Sequence, residues 1–278
     1  MNRKLRWMCF WILLGFGSSA LAGARPRPWA SMLLSGYVDI NPDGGVREYA
    51  LDNPGKIPPV VRGVIKQAVQ GWRFKVDVAG KVIARAKMSL RVVAKPVDKT
   101  EFSISVEGVQ FTDDSAAPGE EVTEHSTIRP SYPKDAIDER TAVTVYVLVQ
   151  VGRDGHVLNA GAEQVNFTLD CPPSSRHGLE NQFAHASESA IRKWTFDVPT
   201  RGPQAAAPYW YARIPVTYSL TGVGMPKSSE EYGAWQPYIP GPRRSLPWVN
   251  DRGVMASAPD ATPGDQPVLL GGPLQLVN

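Results

Sequence analysis

The fold is decided by the stretch Tyr37-Val38-Asp39-Ile40-Asn41-Pro42-Asp43-Gly44-Gly45-Val46, because a similar stretch returns in the second half of the chain. The second version runs from Tyr146-Val147-Leu148-Val149-Gln150 into Asp154-Gly155-His156-Val157. In each version a strand meets an Asp-Gly turn, where glycine accepts a positive φ at little cost. A second strand follows, at Val46 to Leu51 in the first version and at Val157 to Val165 in the second. The sequence therefore predicts two copies of one unit, each opening with a hairpin.

A helix is predicted after each hairpin, because the hydrophobic period there changes from 2 to about 3.6. Pro58 and Pro59 can start the first helix, since proline fits a first helical turn. The apolar stripe of this helix consists of Val60, Val61, Val64, Ile65, Ala68 and Trp72, and that of the second of Leu179, Phe183, Ala186, Ala190, Ile191 and Trp194. Both helices end in a Trp-x-Phe motif. Its tryptophan continues the stripe, so Trp72 and Trp194 are predicted to fill the core rather than to bind a ligand.

A long alternating strand closes each copy. The apolar face carries Ala84, Ala86, Met88, Leu90 and Val92 in the first copy, and Trp210, Ala212, Ile214, Val216, Tyr218 and Leu220 in the second. The first copy adds a fourth strand, in which Phe102, Ile104 and Val106 alternate with polar residues. This order of elements predicts an α+β fold of two small domains, each an antiparallel sheet of three to four strands with one main helix packed on it.

The two copies also set the domain boundaries. We predict a first domain at 32–111, a linker at 112–128, a second domain at 129–222 and a tail at 223–278. The linker is acidic and poor in apolar residues. The tail is rich in proline and glycine and has no periodicity, which is typical of disordered chain. Within the second domain, the polar stretch Asp170 to Arg176 is predicted to be a loop.

Residues 1–22 have the features of a secretory signal peptide. Three basic residues precede the apolar run Met8 to Phe16, and Ala20-Leu21-Ala22 supplies a small-residue cleavage site. The apolar run is shorter than the ~20 residues that span a bilayer. We therefore expect cleavage after Ala22 and a location in the periplasm. An uncleaved leader would instead anchor the protein in the inner membrane.

Charge and cysteine content exclude several classes of function. The chain has 30 Lys and Arg against 27 Asp and Glu, and the excess of positive charge lies in the leader. The expected mature chain therefore has no net charge to attract phosphate, and we do not expect it to bind nucleic acid. Cys171 is the only cysteine outside the leader, which excludes an internal disulfide, a cysteine-based zinc site and a CxxC pair. We interpret it as an inert residue.

No catalytic, cofactor or metal site can be assembled from the sequence, so we do not expect an enzyme. The mature chain contains no G-x-S-x-G, H-E-x-x-H, Walker A or dinucleotide-binding glycine motif. His185 and Glu188 are three residues apart on a predicted helix and could share a metal or act as an acid and base. Both lie opposite the apolar stripe, and no third ligand recurs at a suitable spacing. We interpret them as part of a solvated helix face.

The second copy resembles a known family. It contains Tyr132-Pro133-x-x-Ala136, a valine at every second position from Val143 to Val151, Asp154-Gly155-x-Val157, Lys193-Trp194-Thr195-Phe196 and a closing strand with Val216. Over residues 129–221 this pattern resembles the C-terminal domain of TonB, the periplasmic energy transducer. The first copy, at 32–111, resembles the same domain more weakly because it lacks the Tyr-Pro-x-x-Ala motif.

The resemblance implies a function in peptide binding. It implies that the final strand is exposed and adds an extended segment of a TonB-dependent outer-membrane receptor as a further strand. An unpaired edge offers a row of N–H and C=O groups to such a segment. The candidate contact residues on the closing strand are those that point away from its apolar row, namely Tyr211, Arg213, Thr217 and Ser219. Pro215 removes one donor from this strand and restricts which side can pair.

Two further residues are candidates for partner contact. Pro133 fits the first turn of a short helix, and the ring of Tyr132 either packs on that helix or contacts a partner. The stretch Gln236 to Arg244 in the tail has the proline and aromatic pattern of a polyproline II ligand, but we favour an unstructured tail.

Two functions compete. The first is a non-enzymatic periplasmic protein that binds extended peptides at an edge strand. The second is an envelope scaffold in which the two copies pair edge to edge, within one chain or by self-association. The leader and the short distance from it to the first domain differ from a full transducer, which has an uncleaved membrane span and a long proline-rich rod. Energy coupling is therefore not predicted from the sequence.

Overall fold

The computed structural model describes residues 27–74, 85–112, 119–169, 171–202, 204–220, 231–250, 254, 258–261 and 268–270. The leader and Ala84 lie outside these residues. The predicted α+β fold is confirmed, since helices pack on antiparallel sheets. We call the elements from 29 to 112 the first unit and those from 123 to 218 the second unit.

The first unit is built around a central strand, with one helix packed on its sheet. Its elements are β1 (Trp29–Ile40), β2 (Val46–Leu51), α1 (Pro59–Gln70), β3 (Arg85–Pro96) and β4 (Phe102–Thr112). β1 pairs with β2 on one side and with β3 on the other, and β4 lies outside β3. The buried stripe of α1 is Val61, Ile65 and Val69, whereas Val60 is 60% exposed. The predicted stripe was therefore wrong for Val60, because the helix faces the sheet about one position further along.

The second unit repeats this arrangement with two additions. Its elements are β5 (Thr123–Ser126), α2 (Lys134–Asp138), β6 (Ala142–Gly152), β7 (Val157–Leu169), α3 (Pro173–Ile191), β8 (Thr195–Asp197) and β9 (Tyr209–Tyr218). β6 is central, with β7 on one side and β9 on the other. α2 is one addition. The other is β5, which lies in the predicted linker and pairs with β8.

The two Asp-Gly turns have the same geometry and the same partner. Gly44 has φ 82° and Gly155 has φ 76°, values that favour glycine. The carbonyl oxygen of Gly44 accepts from Phe74 N–H (2.8 Å), and that of Gly155 from Phe196 N–H (2.9 Å). The Asp-Gly turn thus holds the Trp-x-Phe motif in both units, which explains why these two motifs recur together.

The predicted role of the two tryptophans is confirmed. Trp72 is 9% exposed and belongs to the core of the first unit, and Trp194 is 8% exposed and belongs to that of the second. The indole N–H of Trp194 also donates to the carbonyl oxygen of Ile128 (2.8 Å). The second tryptophan therefore ties the segment before α2 to the core as well as filling it.

The predicted loop in the second unit is shorter than the sequence indicates. α3 begins at Pro173, directly after its N-cap Pro172, so residues 173–176 form its first turn. Asp170 lies outside the described residues. Proline at the first helical position loses no helical hydrogen bond, and here two successive prolines start the helix within a polar stretch.

The prediction of a disordered tail is wrong for the described tail residues. β10 (Gln236–Tyr238) pairs with Trp29–Ser31 of β1, and β11 (Val268–Leu270) pairs with Tyr211–Arg213 of β9. Between these strands, Ile239 and Phe167 exchange two backbone hydrogen bonds, and Arg244 N–H donates to the carbonyl oxygen of Glu163 (2.7 Å). The tail lacks a hydrophobic period because its order comes from pairing with strand edges elsewhere in the chain.

The tail also covers the outer face of the second sheet. Leu148 of β6 and Tyr211 of β9 form a buried cluster with Val249 and Val254. Leu246 and Trp248 pack against the same cluster. The ring of Trp248 stacks on that of Tyr211 at a centroid distance of 6.1 Å. The second sheet is therefore packed on both faces, by α3 and by the tail.

A buried arginine joins the two units and the tail. The Nη1 of Arg91 in β3 donates to Tyr146 Oη in β6 (2.9 Å), and its Nη2 lies 3.6 Å from Asp260 Oδ2. The guanidinium carbon lies 5.0 Å from the ring centre of Tyr238. Burial acts to lower the pKa of Arg91, but Tyr146 and Asp260 offset it and raise the pKa above its ordinary value. The arginine therefore stays charged in this junction.

Candidate functional site

The candidate site is the outer edge of β9, the closing strand of the second unit. β9 pairs with β6 along its whole length, from Tyr209 to Tyr218. On its other side, β11 pairs with residues 211–213. Within the part of the chain that the structure describes, β11 is the strand on this side of β9. An extended segment of the chain is therefore already added to one part of this edge.

Two side chains of α3 show which backbone groups of the second sheet point outward. Arg192 Nη2 donates to the carbonyl oxygen of Ala160 (2.7 Å), and the N–H of Ala162 donates to Glu188 Oε1 (2.8 Å). Both backbone groups belong to β7 and must face away from β6 to make these bonds. Their neighbours in β7 alternate with them and face β6.

The same alternation fixes the orientation of β9. Val147 of β6 lies opposite Ala162 on one side and Ile214 on the other. Since Ala162 points away from β6, Val147 directs its backbone groups toward Ile214, and the neighbours of Ile214 point outward. The N–H of Thr217 and the ring nitrogen of Pro215 therefore face the outer edge. Pro215 removes a donor from that edge and leaves the ladder to β6 intact.

The first unit fills the corresponding edge with a strand of its own. β3 pairs with β4 from Lys87 to Pro96. The ring of Phe111 in β4 lies 5.5 Å from that of Trp72 and 4.9 Å from that of Phe74, measured between centroids. β4 thus shows how an added strand completes this type of unit. Its apolar side chains continue the core, and its backbone continues the sheet.

Two of the predicted contact residues are buried, so the expectation of exposed side chains is wrong for them. Tyr211 is 6% exposed beneath the tail, and Arg213 is 2% exposed. Arg213 Nε lies 2.6 Å from Glu163 Oε2, and its Nη2 lies 3.2 Å from Glu163 Oε1. This pair spans β6 and links the two strands on either side of it, β7 and β9. Thr217 and Ser219 are exposed, as predicted.

Tyr132 and Pro133 have structural contacts. The hydroxyl of Tyr132 donates to the carbonyl oxygen of Thr141 (2.5 Å), and its ring packs edge-on against Phe183 and Tyr218 at 5.6 and 5.4 Å. Burial raises the pKa of Tyr132 to about 12. Pro133 is the N-cap of α2. The ring of Tyr132 therefore packs on α3 and on the C-terminal end of β9, whereas the sequence led us to expect packing on the short helix or contact with a partner.

The remaining candidate groups lie apart from this edge. His185 is exposed, and the carboxylate of Glu188 accepts from Ala162. The described residues contain no cluster of three or more His, Cys, Asp or Glu side chains that could hold a metal ion. Cys171 is 5% exposed and belongs to the core of the second unit.

Sequence reasoning missed the buried pair of Glu163 and Arg213. Glu163 lies at an irregularity in the pairing of β6 with β7, between the partners of Tyr146 and Val147. An extra residue at a β-bulge changes which side chains share a face, and hydrophobic alternation does not reveal it. A usable signal was present, because Glu163 is the only charged residue of β7 and Arg213 the only one of β9, and their charges are opposite.

No protein-family model, curated protein or solved structure matches the chain. The resemblance to the TonB C-terminal domain therefore stays a prediction from the sequence motifs. Within the described part of the chain, no helix is both long and apolar enough to cross a membrane.

Proposed function

We propose that this chain is a non-enzymatic periplasmic protein that binds extended peptide segments by strand addition at the outer edge of β9. The TonB resemblance implies an outer-membrane receptor as the source of the segment, and a link to TonB-dependent transport. The observation that carries the proposal is the antiparallel pairing of β11 with residues 211–213. An extended segment from the same chain already uses this edge in the manner proposed for a partner.

The peptide that fits this edge has the properties of β4. Phe102–Thr112 places Ile104, Val106, Val109 and Phe111 against the core of the first unit. A partner of β9 should likewise alternate, with apolar side chains toward α3 and polar ones outward. Each backbone hydrogen bond contributes only ~1 kcal/mol net, so a short segment should bind with modest affinity.

The direct test replaces Thr217 with proline or with alanine. Thr217→Pro removes the outward N–H and leaves the β6 ladder intact, whereas Thr217→Ala keeps the donor. We expect the proline variant to bind a synthetic peptide with the sequence of β4 about fivefold more weakly than the alanine variant, as measured by calorimetry. Circular dichroism must first show that both are folded. Equal binding by the two folded variants would contradict the proposal.

The periplasmic location has its own test. Mass spectrometry of the envelope fraction should find a mature N-terminus at Gly23, as the Ala20-Leu21-Ala22 site predicts. An intact Met1 on a membrane-bound protein would contradict cleavage and would favour an anchored transducer.

A scaffold is the second candidate, favoured by the tail. β10 and β11 donate one short strand to each sheet, so strand pairing already joins parts of this chain that are distant in sequence. A scaffold predicts that the β9 edge stays closed in solution. Protection of the backbone amides of β9 that is unchanged by added peptide, together with a stable oligomer in light scattering, would support the scaffold over peptide capture.

A further inference from the structure

We propose that the first unit has a second peptide-binding site, at the outer edge of β2, and that it takes an extended acidic segment. The site is a groove between β2 and the last turns of α1. Its floor is formed by Val46, Tyr49 and Val69, and its rim by Asn41, Asp43, Arg47, Glu48, Lys66, Gln70 and Arg73. It lies on the first unit, whereas the β9 edge belongs to the second, so the two proposals stand independently.

The corresponding edge in the second unit is occupied along its length. At one end, His156 pairs with Thr195. Arg192 and Glu188 then bond to the backbone of Ala160 and Ala162, and the tail pairs with the remaining part of β7 through Arg244 and Ile239. The outer edge of β7 is therefore bonded to backbone groups, to helix side chains and to the tail.

In the first unit, the backbone bridge at the start of the strand is present, but the bonds from the helix side chains are not found among the described residues. Gly45 pairs with Arg73, as His156 pairs with Thr195. Counted from the Asp of each turn, Tyr49 and Leu51 correspond to Ala160 and Ala162. Within the part of the chain that the structure describes, neither of these two residues is bonded to a side chain of α1.

The backbone groups of Tyr49 and Leu51 point away from β1. Asp52 N–H donates to the carbonyl oxygen of Ser35 in β1 (2.9 Å), so position 52 faces β1. Alternation then turns Leu51 and Tyr49 away from β1, in agreement with Ala162 and Ala160 in the second unit. Two N–H donors and two carbonyl acceptors are thus presented in the spacing that an antiparallel strand requires.

The charged residues of α1 and α3 explain why α3 bonds to the edge of β7 whereas α1, within the described residues, does not bond to the edge of β2. They also indicate which kind of peptide would bind at β2. Lys66 precedes Trp72 by the same interval as Glu188 precedes Trp194, so a lysine stands where the second unit has a carboxylate. Lysine has no acceptor and cannot bond to the N–H of Leu51 as Glu188 bonds to that of Ala162. Two carboxylates also lie on the rim, but Asp43 accepts from the N–H of Gly45 and Glu48 interacts with Arg85. Lys66 and Arg73 therefore favour a partner that supplies both a backbone carbonyl and a carboxylate.

The test measures binding of two synthetic seven-residue peptides to the full mature chain by calorimetry. One peptide alternates valine with glutamate, and the other alternates valine with lysine. We expect the glutamate peptide to bind more tightly, and Lys66→Glu to weaken it about tenfold and to reverse the preference. Lys66→Gln, which removes the charge without reversing it, should give an intermediate result.

A backbone variant tests strand addition separately from charge. Leu51→Pro removes an N–H that does not face β1, and Leu51→Ala is the control that keeps it. The proline variant should bind the glutamate peptide about fivefold more weakly than the alanine variant. Thr217→Pro should leave this binding unchanged, so failure here is distinguishable from failure at β9. Equal binding of the glutamate peptide by the unaltered chain and by folded Lys66→Glu would overturn the proposal.

Discussion

The two units share one frame, which consists of the hairpin, the helix and the closing strand, but they differ at their sheet edges. In the first unit, β4 covers the edge of β3, and the edge of β2 faces a groove. In the second unit, α3 and the tail cover the edge of β7, and β9 carries β11 on residues 211–213. The frame is set by the repeated motifs, whereas the edges are set by segments outside the repeat. The same fold can therefore present different sheet edges.

The largest expected effect tests whether the frame is common to both units. Trp72→Ala and Trp194→Ala should each lower the free energy of unfolding by about 3–5 kcal/mol, as deletion of a buried large aromatic does. Trp194→Phe should cost more than Trp72→Phe, because it also leaves the carbonyl of Ile128 without its donor. Chemical denaturation followed by fluorescence measures both, and a loss below about 1 kcal/mol in either alanine variant would contradict a core role.

The second effect tests the shared turn. Gly44→Ala would place a Cβ 2.2 Å from the carbonyl oxygen of Phe74, and Gly155→Ala one 2.3 Å from that of Phe196. Each substitution also strains a residue at positive φ. We therefore expect similar losses of about 1–3 kcal/mol in thermal unfolding, because turn and Trp-x-Phe motif must separate. If one substitution left the stability unchanged and the other lowered it strongly, the two turns would not have equivalent roles.

The third effect tests the role of β11 at the β9 edge. A chain that ends at Ala261 lacks β11 and exposes the outward backbone groups of 211 and 213. It should bind the β4 peptide severalfold more tightly than the full chain, since the peptide no longer competes with an attached strand. Binding that stays the same after this shortening would show that β11 does not occupy the peptide site.

The smallest expected effect is a difference between the two units in how their stability depends on pH. The hydrogen bond from Arg85 and, to a smaller extent, that from Arg47 lower the pKa of Asp39 despite an opposing effect of burial. A lowered pKa contributes stability above the pKa of the unfolded chain, near 4, and the contribution is lost as the pH falls through the folded value. At the corresponding position the second unit has Gln150, which accepts from Asn159 Nδ2 (2.8 Å) and does not titrate.

Thermal unfolding between pH 3 and pH 6 checks this expectation. Asp39→Asn should reduce the loss of stability at low pH. Gln150→Ala should leave the pH dependence of the protein's stability unchanged. A pH dependence that is the same with and without Asp39 would contradict the assignment to this carboxylate.

The sequence was sufficient to predict the elements whose own residues form a recognisable pattern. Alternation identified β3 and β9, the Asp-Gly turns located both hairpins, and the Trp-x-Phe motifs marked both helix ends. The tail was missed because Gln236–Tyr238 and Val268–Leu270 are too short for a pattern and are ordered only by distant edges. Tyr211 was placed on a free face for the same reason, since nothing local in its strand indicates the tail that covers it. Arg213 was placed there because its partner Glu163 lies at an irregularity in the pairing of β6 with β7.

Hydrogen exchange at Leu51 and Ala162 tests the central claim most directly. These residues occupy corresponding positions, but Ala162 N–H is bonded to Glu188, whereas Leu51 N–H faces away from β1. In the unliganded chain, nuclear magnetic resonance should show fast exchange at Leu51 and slow exchange at Ala162, and the glutamate peptide should slow Leu51 alone. Equally slow exchange at both amides without peptide would contradict the claim that the two units present different edges.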